Sequence, residues 1–200
     1  MDALECLMTR RTAPVLAGPE PTREQLDQIL RAAVTAPDHK LQRPWRFVIV
    51  RGAGRERLGE ALVAAARAAD PGMPPEVLER QRMKALRAPL QVAVIASPKE
   101  PSPAPRWEQL ASAAAAAQNV CLAATALGLG SGWKSTPLGE QSPLREVLGM
   151  QSGEELLGLV ELGHVPADAR LRPRVAVDVG SVTSELGGER LSAYVPPSAG

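Results

Sequence analysis

The sequence predicts an α+β fold, or equally a three-layer arrangement around a mixed sheet. Three observations predict it: helical periods fill most of the chain, few segments have strand character, and two helices separate the first two strands. That last feature breaks the alternation of a regular βαβα array. Two hundred residues suit one compact domain with a sizeable core.

The elements follow in order. Residues 2–11 place Leu4, Leu7 and Met8 at helical spacing, with Arg10 and Arg11 expected in the last turn, where cations favour the helix dipole. Pro14 stops that helix. Thr22, with Gln25 three residues on, forms a capping-box pattern, and Leu26, Ile29, Leu30 and Ala33 form the buried stripe of a second helix. It ends before Pro37, because a residue preceding proline avoids the helical region. Trp45 to Val50 reads as a largely buried strand. Residues 55–69 and 75–87 read as helices separated by Asp70-Pro71-Gly72, and Leu90 to Ala96 as a second strand.

A proline-rich loop from Lys99 to Pro105 precedes the longest helix, Trp107 to Leu127, closed by Gly128. Alanine dominates that helix. It is either crowded on all sides or packed against its symmetry mate, since small residues let backbones approach closely. Ser131 to Ser135 and Leu156 to Gly163 are expected strands, with a short helix near 143–149 between them. Beyond Pro166 the helical period is lost. Residues 167–187 suit either an arm wrapped around a partner or a disordered segment, and 188–200 a flexible tail.

Composition narrows the function classes. A net charge of +1 gives no global field for nucleic acid or an acidic membrane, so anion binding must be local. Cys6 and Cys121 stand far apart with no neighbouring histidine, which argues against a disulfide framework or a zinc site and suits a reducing cytoplasm. The acidic N-terminus does not resemble a signal peptide, and the most apolar stretch, 110–129, is a poor membrane span. The expectation is a soluble cytoplasmic domain.

Two motifs mislead. Gly128 to Ser135 imitates a Walker A loop, but Trp133 stands where glycine is needed, and the segment follows a helix instead of a strand. Ser131 is not in a nucleophile elbow, and His39 and His164 lack a persuasive acid–base context. Two other segments are more informative together. Arg10-Arg11-Thr12 offers two fixed cations and a hydroxyl to a phosphate, although such a pair also suits solvated helix-end charges. Ala36-Pro37-Asp38-His39-Lys40-Leu41-Gln42-Arg43-Pro44-Trp45 is a stiff loop just before a strand. The pairing suggests a phosphorylated planar cofactor held by charge at one end and by a rigid loop at its ring, which points to FMN.

The ordered set of Arg10-Arg11-Thr12, Ala36 to Lys40, Pro44-Trp45, Pro105 to Gln109 and Trp133-Lys134-Ser135 closely resembles the flavin-dependent nitroreductase family, in its YdjA-like NAD(P)H nitroreductase branch. The resemblance covers residues 1 to about 186. It implies a nitroreductase-like α+β fold with a central mixed or antiparallel sheet, forming an intertwined homodimer with FMN at the interface. The single domain would run over 1–187, with 167–187 wrapping the partner. By resemblance, the cofactor-binding positions are Arg10, Arg11, Thr12, Thr35, Pro37, Asp38, His39, Arg43, Trp133, Lys134 and Ser135. Of these, 10–12 hold the phosphate and ribityl chain, and 37–39 reach the partner's flavin.

The implied activity is a ping-pong oxidoreduction. NADH or NADPH gives hydride to the flavin N5, and a nitroaromatic, quinone or similar small-molecule acceptor removes it, with no catalytic side chain and no metal. Two other readings remain: a specialised reduction on the same fold, such as dehalogenation, or a non-enzymatic dimeric FMN-binding protein. Leu41 and Arg43 depart from relatives that carry an amide pair before Pro-Trp. Arg43 therefore either faces solvent or brings a cation to the flavin ring, where it or Lys134 would stabilise negative charge on the N1–C2=O edge of the reduced flavin.

Overall fold

In the computed structural model, residues 1–171, 173–187 and 190–196 are described. Helix α1 (Ala3–Thr9) opens with a full capping box between Asp2 and Glu5, and α2 (Arg23–Ala33) with the predicted box between Thr22 and Gln25. Each box satisfies N–H groups that a helix start would otherwise leave bare. The first helix is shorter than expected. It ends at Thr9, so Arg10 is its C-cap and Arg11 lies beyond it, not in the last turn. Pro14 is too distant to set that boundary; the extended backbone at Arg10 (ψ 129°) sets it instead.

Four strands form the central sheet: β1 (Trp45–Arg51), β2 (Leu90–Ala96), β3 (Gly130–Lys134) and β4 (Glu155–Gly163). Their order is β1-β2-β4-β3, and every pair among them is antiparallel. β2 is buried along its whole length because it is central, in keeping with a run that is apolar except for Gln91. β1 is only half-buried over most of its length, less than its apolar content suggests, because it is an edge strand.

Two apolar clusters sandwich the sheet. On one face α2 and α5 (Arg106–Ala126) pack over Val92, Val94, Val160 and Leu162. On the other, α3 (Ala53–Ala69), α4 (Pro75–Lys84) and α6 (Ser142–Val147) pack over Ala93, Ile95 and Leu159. α4 stops at Lys84, three residues short of the predicted end. The expected three layers are therefore present, around a four-stranded sheet that is antiparallel and not mixed.

Gly128 closes α5 with φ 75°, and the bonds Leu129 N–H to Ala124 O (2.8 Å) and Gly128 N–H to Thr125 O (3.0 Å) make a Schellman end. The next residues enter β3 at once. The pseudo-Walker segment is thus a helix cap running into an extended strand, with no phosphate-cradling loop.

α5 buries one face, including Ala113, Ala116, Ala117, Val120 and Ala124, and leaves Ala111 and Trp107 exposed. α1 buries only Cys6; Leu4, Leu7 and Met8 stay exposed, so its apolar face serves no core of this chain. After Gly163 the chain ends in a separate hairpin of β5 (Ser184–Gly187) and β6 (Arg190–Ala193). β6 therefore stands within the segment expected as tail, while 188–189 and 197–200 lie outside the described residues. Val175, Val177, Val182, Leu186 and Leu191 of this terminal region are all exposed.

Candidate functional site

The chain just past α1 runs along the outer edge of β3. Thr12 forms a parallel bridge with Ser131, and the Ala13 N–H donates to Ser131 O at 2.9 Å. This short ladder fixes Arg10, Arg11 and Thr12 beside Gly132, Trp133 and Lys134, joining two sequence-predicted groups separated by more than a hundred residues. Gly132 is central to the arrangement. A β-carbon there would lie 3.3 Å from Lys134 Cε, 3.4 Å from Thr12 Cγ2 and 3.5 Å from Glu161 Oε2. The Lys134 side chain, the Thr12 methyl and the Glu161 carboxylate thus border a backbone position kept bare of any side chain, and Arg10 and Arg11 directly precede Thr12 in the bridged segment. These residues fit a phosphorylated ligand, because short donors and fixed positive charge can reach its oxygens.

Trp133 is fixed by a different device. Strand β4 slips register between Val94↔Gly158 and Ile95↔Leu156, leaving Leu157 as a bulge. The Leu157 carbonyl accepts the Trp133 indole N–H at 3.0 Å. Gly158 adopts φ 141°, and a β-carbon on it would come within 2.7 Å of Trp133 Nε1 and 2.5 Å of Lys134 O. The bulge and the glycine together lock the indole at the sheet edge, 37% exposed. Ser135 follows on the exposed side.

The second predicted segment folds into a strained loop at the other edge. Lys40, Leu41 and Arg43 have φ of 61°, 52° and 48°, a left-handed region that costs ordinary residues about 1 kcal/mol each or more. Asp38 holds them there, its carboxylate accepting from the Gln42 N–H at 3.0 Å and the Arg43 N–H at 2.7 Å. Ser102 Oγ donates to Gln42 Oε1 at 2.9 Å, and His39 Nδ1 lies 2.5 Å from Glu108 Oε2. Thr35 donates its hydroxyl to Ala32 O. The Asp38 carboxylate is therefore committed to the loop's own backbone, while Pro37, His39 and Arg43 are exposed. Thr35, Asp38, Leu41, Arg43 and Trp45 border an open cavity of about 540 Å³.

The Pro105 to Gln109 motif braces this loop. Glu108 meets His39, and Arg106 bonds Glu155 and the Gly153 carbonyl. Gln109, buried, closes the preceding loop through Lys99 N–H, Lys99 O and Ala104 O.

The two predicted groups do not meet in one chain. The 35–43 loop leads into β1 and the Arg10–Thr12 segment flanks β3, the opposite edges of a four-stranded sheet. At ordinary strand spacing the edge axes stand about 14 Å apart.

One residue at the site was missed by the sequence reading. Glu161 is buried on β4 beside Lys134 and Arg87, with its carboxyl pushed up by burial and held back by those two cations. Its signal was a single acid within the otherwise apolar run Leu156 to Gly163. Both cysteines are free and buried, and burial pushes the Cys121 thiol up, which argues against Cys121 as an activated nucleophile. Among the described residues there is no cluster of three metal-binding side chains, and no helix is long and apolar enough to cross a membrane.

Comparison with known proteins decides the family. Residues 7–164 match the model of the Nitroreductase family. The chain belongs to the nitroreductase family. It is 43% identical over 163 residues to the Escherichia coli K12 protein "Putative NAD(P)H nitroreductase YdjA", covering 82% of this chain and 88% of that one. A Haemophilus influenzae protein, "Putative NAD(P)H nitroreductase", is 36% identical over 165 residues, with the same two coverages. Among solved structures, a nitroreductase-like family protein from Bacillus cereus superposes with TM-score 0.76 at 24% identity, covering 94% of this chain and 97% of that one. A nitroreductase with bound FMN from Bacteroides fragilis gives TM-score 0.71 at 24% identity, covering 92% and 98%. These likenesses show that the α+β architecture is the nitroreductase-like fold.

Proposed function

We propose that this nitroreductase-family chain is an FMN-dependent NAD(P)H oxidoreductase, working as a homodimer with its cofactors at the interface. The observation that supports the reading most is the bridge that sets the Arg10–Thr12 segment beside Gly132 and Lys134, which we read as a phosphate grip built from two distant segments. The FMN held by the Bacteroides fragilis relative, and the NAD(P)H in the names of the curated relatives, support the choice of cofactor and reductant.

When bound, FMN supplies hydride exchange at N5, accepting from NADH or NADPH and giving to a nitroaromatic, a quinone or a similar electron-poor acceptor. The chain's own residues bind and orient. Arg10 and Arg11 offer charge to the phosphate, Thr12 and Ser135 offer hydroxyls, and Lys134 adds a cation across the bare Gly132. Trp133, locked by its bond to Leu157 O, gives the site a rigid wall. From the partner subunit, the 35–43 loop presents Pro37, His39 and Arg43 on a backbone that Asp38 holds fixed. No side chain need act as nucleophile, and one open site serves both substrates in turn, which suits a ping-pong cycle with loose acceptor choice.

The deciding experiment is spectroscopic. Purified protein is expected to be yellow, or to take up added FMN. It should bleach with NADH or NADPH under anaerobic conditions and regain colour with a nitroaromatic or quinone. Colourless protein that takes up no FMN contradicts the cofactor assignment. Yellow protein that neither nucleotide bleaches would be a binding protein, not a reductase.

A further inference from the structure

Glu161 differs from the other buried acid, Glu154. Glu154 is matched by the Arg46 guanidinium and the Gln151 N–H, whereas the groups acting on Glu161 are the charges of Lys134 and Arg87, with no hydrogen-bond donor among the described residues. It is 5% exposed and lies on the α3/α4 face, opposite Gln91 on β2 and Gly132 on β3. Its Oε2 approaches the same bare point over Gly132 that Lys134 Cε and Thr12 Cγ2 approach, all within 3.5 Å of it. A cavity of about 270 Å³ adjoins this spot, bordered by Lys84, Arg87, Ser135 and Thr136 as well as Lys134 and Glu161. Across the ladder, Gln91 Oε1 is buried and has no hydrogen-bond partner among the described residues, its amide N–H being used on Lys84 O.

We propose that Glu161 is a positioning residue that competes with the cofactor's phosphate for the Lys134 ammonium, so that protonating Glu161 hands Lys134 to the phosphate. The inference rests on the FMN reading and deepens it. Ionised, the carboxylate draws Lys134 toward β4 and adds a negative charge beside a dianion. Protonated, it repels nothing and carries an O–H that the orphan Gln91 Oε1 can accept.

The charged and polar groups around it are Lys134 from β3, Lys84 and Arg87 from the end of α4 and the turn after it, Gln91 from β2, and Thr12 from the segment bridged to β3. Burial pushes the Glu161 carboxyl above the ordinary 4.5, the two cations opposing. A phosphate brought nearby pushes it further in the same direction, so binding FMN and binding the proton reinforce one another. The phosphate's own second ionisation, near about 6, works the opposite way. The comparison must therefore be made between variants at each pH.

The experiment measures FMN and riboflavin affinity from about pH 5 to 8 for the wild-type chain, Glu161→Gln and Glu161→Asp. Expected is FMN binding about tenfold tighter in Glu161→Gln than in wild type at the alkaline end, a gap that closes toward the acid end. Riboflavin, which lacks the phosphate, should not distinguish them, and Glu161→Asp should keep the wild-type pH dependence. A gap that is absent, constant across pH, or equal for riboflavin overturns the proposal while leaving the cofactor reading intact. Wild-type protein that binds no FMN at any pH removes that reading, and the proposal with it. Thermal unfolding of each variant separates these results from loss of fold.

Discussion

The Asp38 carboxylate holds two backbone N–H groups in a loop where three ordinary residues sit in left-handed conformations. Replacing it by alanine removes that hold and lets Lys40, Leu41 and Arg43 relax. Asp38→Ala is expected to weaken FMN binding by about tenfold or more while costing only about 1–2 kcal/mol of stability, read by flavin titration and urea unfolding. Gly158→Ala should be far worse for the fold. Its β-carbon would press on Lys134 O and the Trp133 ring, at a φ that L-residues rarely adopt. A loss of about 3 kcal/mol or more is expected, with a changed indole fluorescence as Trp133 leaves Leu157. At this scale the sequence was informative about charge and poor about conformation. Arg10, Arg11 and Thr12 stood out as charge beside a hydroxyl, a pattern that also suits solvated helix-end charges, and only their order with the other segments singled them out as candidates. The left-handed loop did not stand out, because Lys, Leu and Arg carry no mark of such a backbone; only the Asp four and five residues before its acceptor-seeking N–H groups hinted at it.

Elements were legible where local chemistry sets their ends. Thr22 and Gln25 begin α2, and Gly128 closes α5, as their residue types require. Elements whose ends or burial depend on neighbours were less so. β1 is half-buried through its edge position, and the apolar stripe of α1 faces away from this chain's core. Arg46 on β1 also reaches across to Glu154 just before β4, a contact between segments over a hundred residues apart that no local pattern announces. Its Nη2 lies 2.7 Å from Glu154 Oε2, and that hydrogen bond is the main cause holding the Glu154 carboxyl at about 2, against the pull of burial. The folded value is depressed, so the stabilisation is complete above the ordinary 4.5 and is lost as pH falls toward 2. Glu154→Gln is expected to cost about 2–3 kcal/mol near neutral pH, with the difference in urea midpoints shrinking below about pH 4. A difference that does not change with pH would mean that packing, not charge, is what the substitution removes.

The whole molecule presents the two groups of residues proposed to hold the cofactor at opposite edges of one sheet and leaves much apolar surface uncovered. Leu4, Leu7 and Met8 on α1, Trp107 on α5, and the valines and leucines after residue 174 lie at the surface, more than an isolated small domain usually exposes. In the proposed dimer these surfaces are covered, and each flavin takes its phosphate grip from one chain and its ring loop from the other. That arrangement can be tested with mixed dimers. One chain would carry Arg10→Ala and Arg11→Ala, the other Asp38→Ala and His39→Ala, each pair expected to empty both sites of its own homodimer. In the mixed dimer one site collects both defects and the other none. The account predicts about half a flavin per chain in the isolated mixed dimer, bleached by NAD(P)H as in wild type, and almost none in either homodimer. Equal, low flavin content in all three dimers would contradict it, since that result requires both groups of residues to serve the same chain's site.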